Sequence, residues 1–106
     1  MTSTEKIRAL NDALRDLTGE GRICVTTGIA TLDPAEQAEI MRRVFTYSDF
    51  TPDNDPYAEH DFGSFEYRAG MWIMWKIDLY EEPGVKDLDG EPFVLRVLTI
   101  GLLDEY

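Results

Sequence analysis

The stretch that decides the fold lies at residues 62–80 and reads FGSFEYRAGMWIMWKIDLY. Apolar and polar residues alternate on both sides of Arg68-Ala69-Gly70, which is the pattern of two β-strands joined by a turn. A two-residue loop would place Glu66 on the same face as Ile73. We therefore predict a three-residue loop with Gly70 in the left-handed position of a β-bulge. This register gathers the apolar side chains on one face: Phe65, Tyr67, Met71, Ile73, Trp75, Ile77 and Leu79.

The opposite face of this hairpin is mixed in character. It carries Ser64, Glu66, Trp72, Met74, Lys76, Asp78 and Tyr80. Large apolar side chains such as Trp72 and Met74 on a solvent face indicate a covering segment, a partner or a site. One expectation is a homodimer whose interface uses the Trp72 and Met74 face.

Two helices and a strand precede the hairpin. Thr2 and Glu5 form a capping box, and Ile7, Leu10, Leu14 and Leu17 form an apolar stripe that Gly19 ends. The β-branched run 23–29 predicts a strand. Asp33 followed by Pro34 predicts the start of the second helix.

The chain after the hairpin divides into a loop and a strand. Residues 81–92 combine acidic residues with prolines and glycines, which predicts an exposed acidic loop. Residues 93–102 are apolar at almost every position, as in a central strand buried on both faces. Arg96 is the one charge in that strand, and we expect it to need a carboxylate partner.

These elements predict one α+β domain over residues 1–106, in the order α-β-α-β-β-β. Two helices are expected to pack on one face of a mainly antiparallel sheet of about four strands.

The charge of the chain is strongly negative and unevenly distributed. Ten basic and 21 acidic residues give a net charge of −11. Residues 1–48 carry 7 acidic and 6 basic residues, a net −1, whereas residues 49–106 carry 14 and 4, a net −10. Such a field repels phosphates, which disfavours direct nucleic-acid binding, and favours a basic protein surface as the partner.

The sequence also indicates the cellular compartment of the protein. Its single cysteine, Cys24, excludes an intrachain disulfide and a cysteine-based zinc site. No apolar run approaches the ~20 residues that span a bilayer, and the charged N-terminal stretch lacks the apolar region of a signal peptide. We expect a cytoplasmic protein without membrane association.

The loop between the second helix and the hairpin is the candidate for chemistry, since long loops are often functional. Three interpretations compete. A divalent cation would use the oxygens of four acidic residues with His60. An acid/base site would use His60 with Glu59 and Asp61. A structural loop would use its Asp and Asn side chains to make turns. The four acidic residues are Asp53, Asp55, Glu59 and Asp61.

Four segments carry a resemblance to a known family. They are TPDNDPYAEHDFG at 51–63, WKIDLY at 75–80, VLTIGLLDEY at 97–106 and IRALNDALR at 7–15. Together they resemble the bacterial family catalogued as domain of unknown function 3768. The resemblance implies a small stand-alone bacterial protein of a type often encoded on mobile elements, and it implies no activity, cofactor or catalytic residue.

The leading functional expectation is a small acidic bacterial interaction protein without enzymatic activity or cofactor. In its narrower form it is a mobile-element-encoded inhibitor or nucleic-acid mimic of a host defence or DNA-handling protein. The alternative is a metal-dependent or acid/base enzyme that uses the loop from Asp53 to Asp61 with His60. The residues predicted to bind a partner are Asp53, Asp55, Glu59, Asp61, Glu66 and Trp72.

Overall fold

A computed structural model describes residues 2–106 as an α+β fold. Its strands form one four-stranded sheet in the order β1-β4-β3-β2, with β1 parallel to β4 and the other neighbours antiparallel. The sheet is therefore mixed, and the predicted central position of the last strand is confirmed. The elements are α1 (Ser3–Arg15), β1 (Arg22–Val25), α2 (Thr27–Ala30), α3 (Pro34–Phe45), β2 (Phe62–Arg68), β3 (Met71–Lys86), β4 (Pro92–Leu102) and a 3₁₀ turn (Leu103–Glu105).

The hairpin of β2 and β3 has the register that the alternation predicts. Phe65 pairs with Ile73, and the register shifts between Glu66 and Arg68, which is the expected bulge. Gly70 has φ +81°, a left-handed conformation that favours glycine. The alternation of apolar and polar residues in the two strands was therefore enough to predict how they pair.

The hydrophobic core lies between the helices and one face of the sheet. Trp75 is fully buried, and it pairs with Ile100 on the neighbouring strand β4. Leu79 departs from the prediction, since it is 53% exposed although it shares the apolar face. Helices α1, α2 and α3 all contribute buried residues; the core comprises Leu14, Ile29, Ile40, Val44, Ile73, Trp75, Ile77, Leu98 and Ile100.

The predicted strand at residues 23–29 is too long. β1 ends at Val25, and the short helix α2 follows because Glu105 holds its first turn. The Glu105 carboxylate accepts hydrogen bonds from the Thr26 hydroxyl (2.6 Å), the Gly28 amide (3.1 Å) and the Leu102 amide (2.8 Å). The hydrogen bond from Thr26, followed by those from the Leu102 and Gly28 amides, lowers the pKa of Glu105 below its ordinary value.

The chain itself covers part of the outer sheet face. The ring of Tyr106 lies 6.0 Å from that of Phe62 and 5.6 Å from the Lys76 ammonium. Met74 is buried at 3% exposure, whereas Trp72 stays 45% exposed. The C-terminal turn thus accounts for one of the two unusual side chains and leaves Trp72 at the surface.

The first helix is rotated relative to the predicted stripe. Leu10 and Leu17 are more than half exposed, whereas Leu14, Asn11 and Arg15 are buried. Leu17, not Gly19, adopts the left-handed conformation after the helix, with φ +69°. The inward face of α1 is therefore partly polar, and this polar face holds the loop that follows α3.

Among the helices of residues 2–106, none combines the length and apolarity that crossing a bilayer requires.

Candidate functional site

The loop between α3 and β2 lies against the polar face of α1. Asn11 donates from Nδ2 to the Glu59 carbonyl at 2.9 Å, and Arg8 donates to the Ala58 carbonyl at 3.2 Å. Asn11 also accepts from Arg96 Nε at 2.8 Å. The expected carboxylate partner of Arg96 was therefore wrong, since an amide oxygen takes that place, and burial lowers the pKa of the Arg96 guanidinium. One buried asparagine thus joins helix, loop and sheet.

His60 links this loop to α1 and to other residues of the loop. Its Nδ1 lies 2.8 Å from Asp12 Oδ1 and its Nε2 lies 3.6 Å from Asp55 Oδ2. Its backbone amide donates to Asp55 Oδ1 at 3.2 Å. The imidazole stacks on Phe50 with ring centroids 3.7 Å apart and an interplanar angle of 6°. We call Asp12, Asp55 and His60 the His60 network.

Arg15 continues the His60 network into the core. It donates from Nη1 to the carbonyls of Val44 (3.1 Å) and Tyr47 (2.6 Å), and from Nη2 to Asp12 (3.3 Å). Its guanidinium carbon lies 4.9 Å from the Trp75 ring centroid, within cation–π range. The side chain is 7% exposed. Arg15 therefore binds one carbonyl near the end of α3 and one in the loop that follows, and so fixes the start of the loop.

The contacts of the His60 network are those of a structural link between the loop and α1. The acid/base interpretation paired His60 with its neighbours Glu59 and Asp61, whereas the imidazole contacts Asp12 and Asp55 instead. Asp55 is itself 6% exposed at its side chain. Four surface cavities of about 270 to 370 Å³ are all lined by other residues.

The predicted metal ligands do not converge. Within residues 2–106, no three His, Cys, Asp or Glu side chains form a group that could hold an ion. Asp53 and Asp61 are exposed, and Glu59 is half-buried with its carbonyl bonded to α1. Asn54 instead makes the side-chain turn of the structural interpretation, because its Oδ1 accepts from the Thr51 amide at 2.9 Å.

The predicted partner-binding residues lie on two parts of the fold. Glu66 pairs with Trp72 at the turn end of the outer sheet face. Asp61 lies five residues before Glu66 along the chain, which is about 17 Å along a strand. Asp55 is already bonded to His60. The six residues are thus divided between the loop before β2 and the turn end of the hairpin.

The most exposed part of the molecule is a β-hairpin at residues 79–95, which we call the hairpin arm. It was predicted to be an exposed acidic loop from 81 to 92; exposure and acidity are confirmed, but the strands β3 and β4 continue through it. β2 pairs with β3 no further than Lys76, and β1 pairs with β4 from Val97 onward. The hairpin arm thus extends beyond both flanking strands.

The surface of the hairpin arm is both acidic and apolar. Every residue from Leu79 to Val94 is exposed. The arm holds five acidic residues and one lysine, a net −4. The acidic residues are Glu81, Glu82, Asp87, Asp89 and Glu91. Its large exposed apolar side chains are Leu79, Tyr80, Val85, Leu88, Phe93 and Val94.

The turn of the arm is ordered by Asp87. Its Oδ1 accepts from the amides of Asp89 (2.9 Å) and Glu91 (3.0 Å), and its own amide donates to the Glu91 carbonyl at 2.9 Å. With this arm, the molecule measures 47 × 30 × 23 Å and has a radius of gyration of 14.8 Å. A compact domain of this length has a radius of gyration of about 13 Å.

The family comparison agrees with the resemblance seen in the sequence. The family described as Protein of unknown function (DUF3768) matches residues 25–105. The chain belongs to this family. The DUF3768 match includes α3, the loop with His60 and the whole hairpin arm. It leaves out α1, so Asp12 and Arg15 lie outside the matched residues.

Neither the curated proteins nor the solved structures gave a significant match.

Proposed function

We propose that this protein is a small acidic interaction protein without enzymatic activity, which binds a basic surface of another protein through its hairpin arm. The observation that carries the proposal is the arm itself. It exposes six large apolar side chains together with a net charge of −4. Exposed apolar area of this kind marks interaction sites, and the charge selects a partner of opposite sign.

The charge of the whole chain supports the same conclusion. A net charge of −11 steers a basic partner toward the molecule, and steering of this kind weakens as salt rises. Like charge on two arms opposes their association, so a basic partner is favoured over a second copy.

A narrower form of the proposal is a nucleic-acid mimic. Carboxylates on a protruding hairpin occupy a basic groove that otherwise holds phosphates, so the protein inhibits a DNA-handling or host defence protein. Duplex DNA displaces the protein from such a partner, because both bind the same basic groups.

The test compares two variants with equal net charge. The arm variant carries five amide substitutions: Glu81→Gln, Glu82→Gln, Asp87→Asn, Asp89→Asn and Glu91→Gln. The control changes five acidic residues elsewhere that are not among the predicted partner-binding residues: Glu5→Gln, Asp16→Asn, Asp33→Asn, Asp49→Asn and Asp104→Asn. Both reduce the net charge from −11 to −6, so a difference between them reports on position.

The immobilised wild-type protein and both variants are exposed to a bacterial lysate at low and high salt. We expect the wild type and the control to retain a basic protein at low salt, with roughly tenfold less retained by the arm variant. Duplex DNA should release that protein. Absence of a retained basic protein, retention that salt does not change, or equal loss in both variants would contradict the proposal.

A further inference from the structure

The two strands of the hairpin arm leave backbone hydrogen-bonding groups unpaired at their outer edges. In β4, the Ile100 carbonyl points toward β1, because it accepts from the Thr26 amide at 3.0 Å. Backbone groups in a strand alternate sides, so Arg96 and Val94 direct their N–H and C=O to the same side as Ile100. β1 begins with Arg22 opposite Val97, so the Arg22 amide takes the Arg96 carbonyl, and no strand reaches the Arg96 amide or Val94 on that side.

A groove runs along this outer edge of β4. Its volume is about 330 Å³, and one wall is formed by α1 and the segment that follows it. Leu10 in that wall and Val94 on the strand are both about half exposed. The groove is lined by Leu10, Gly19, Glu20, Gly21, Phe93, Val94, Leu95 and Arg96.

Gly21 closes the inner end of the groove. A Cβ at this position would lie 2.7 Å from the Arg96 carbonyl and 2.8 Å from a Leu14 methyl group. The chain therefore approaches β4 closely here and separates from it toward the arm. Pro92 limits the outer end, because it lacks an N–H to donate. The open edge thus suits about five residues of extended chain.

The charges around the groove are mostly acidic. Glu20 lines it, and Glu81 is the register partner of Val94 across the arm. Glu91 precedes Pro92. Two arginines are also near: Arg96 is hydrogen-bonded to Asn11, and Arg22 begins β1. With the net −4 of the arm, the balance favours a segment that carries lysine or arginine.

We infer that an extended segment of the partner, with alternating apolar and basic residues, adds as a strand to the outer edge of β4 at Pro92–Arg96. This rests on the proposed function and specifies how the basic partner is held. Backbone hydrogen bonds to Val94 and to the Arg96 amide supply affinity, and Phe93 and Leu95, which share the face of β4 away from α1, receive the apolar side chains. Glu20 and Glu81 receive the basic ones.

The probe is a five-residue peptide of alternating valine and lysine with blocked ends. It is titrated into ¹⁵N-labelled protein and followed by NMR. We expect the largest amide shifts at Val94 and Arg96, with smaller ones at Glu20 and Gly21. The same peptide methylated on alternate backbone nitrogens should bind at least tenfold more weakly, because its charge is unchanged but its strand hydrogen bonds are lost.

Val94→Pro removes the outward N–H without removing a donor from the β3 ladder. We expect at least a tenfold loss of peptide affinity, whereas Val94→Thr keeps the N–H and should bind within about twofold of wild type. The spectrum of each variant verifies its fold.

The inference is overturned if the methylated peptide binds equally well, if Val94→Pro binds like Val94→Thr, or if no shifts appear. Shifts confined to Asp87–Glu91 would likewise reject strand addition. The proposed function fails separately, through the lysate experiment with the arm variant and its control.

Discussion

The His60 network and the hairpin arm use charged residues in opposite ways. Around His60, charges are partly buried and each has a named partner: Asp12 contacts both His60 and Arg15. On the hairpin arm, the carboxylates are exposed and lie next to apolar side chains that nothing covers. Paired, buried charges fix a loop to a helix, whereas unpaired, exposed charges remain free to meet another molecule. Substitutions should therefore lower stability in the first region and binding in the second.

The strongest test of this contrast is Arg15→Ala. It removes the donor of the Tyr47 carbonyl, leaves the Val44 carbonyl with only the Tyr47 amide, and removes the guanidinium from the Trp75 ring. We expect a loss of about 3 kcal/mol in the free energy of unfolding. Urea denaturation followed by tryptophan fluorescence measures it. A loss below about 1 kcal/mol would mean that water replaces Arg15 and that the link is not structural.

A smaller loss is expected for His60→Ala. The change removes the ring that stacks on Phe50 and the bond to Asp12. The expected cost is about 1–2 kcal/mol, measured by the same denaturation. The lysate capture serves as the control, and it should not change, because the His60 network does not touch the arm. Lost capture with unchanged stability would instead place His60 in a binding or catalytic role.

Glu105 is intermediate between the two regions. Its carboxylate is exposed, like those of the hairpin arm, but it accepts three hydrogen bonds, so it is paired like the charges around His60. Its pKa is lowered in the folded chain, chiefly by the hydrogen bond from Thr26. Its contribution is therefore complete above its ordinary pKa of 4.5 and is lost as pH falls through the lower folded value. Amide exchange at Gly28 should show protection that decreases below about pH 4.5. The same protection should already be absent at neutral pH in Glu105→Ala. Equal Gly28 protection in both proteins would exclude this bond as its source.

The smallest effect is expected at the tip of the arm. Leu88 is fully exposed, so Leu88→Ser should change the free energy of unfolding by less than about 0.5 kcal/mol. Capture of the basic partner should nevertheless weaken. If unfolding changes by more than about 1 kcal/mol, Leu88 packs within the monomer and the arm is not a free surface.

Local patterns predicted much of the fold. The alternation in residues 62–80 gave the hairpin register, and Thr2 caps α1 through the Glu5 amide at 3.1 Å as expected. Asp33 takes the N-cap position of α3, although its side chain makes no capping bond. These features depend on neighbours in sequence or on a two-residue period, so the sequence alone contains their causes.

Contacts distant in sequence were not predicted. The partners of Arg15 lie on α3 and on the loop that follows it, so the orientation of α1 depends on carbonyls about 30 residues away. The apolar stripe of α1 indicated a different inward face, because the spacing of apolar residues in a helix gives no information about carbonyl partners elsewhere in the chain. The sequence contained one signal for the observed inward face. Asn11 and Arg15 are four residues apart, so they lie on the same side of α1 as Leu14.

The hairpin arm was predicted as a loop because Pro83 and Gly84 interrupt it. In the structure these residues lie in an irregularity between Glu81 and Lys86, and pairing resumes at Pro92. Cross-strand hydrogen bonds thus overcome a poor local propensity for strand. The six partner-binding residues stay a prediction, and the arm, which contains none of them, is the surface proposed above.

The parallel pairing of β1 with β4 has a consequence for how the chain folds. Arg22–Val25 has no strand neighbour until Val97–Ile100 is available, some 75 residues later. The first strand of this sheet to be synthesised therefore cannot pair with a neighbour until the last strand has been made. Contacts of such long sequence separation slow folding, because closing the intervening chain costs entropy before any pairing stabilises it.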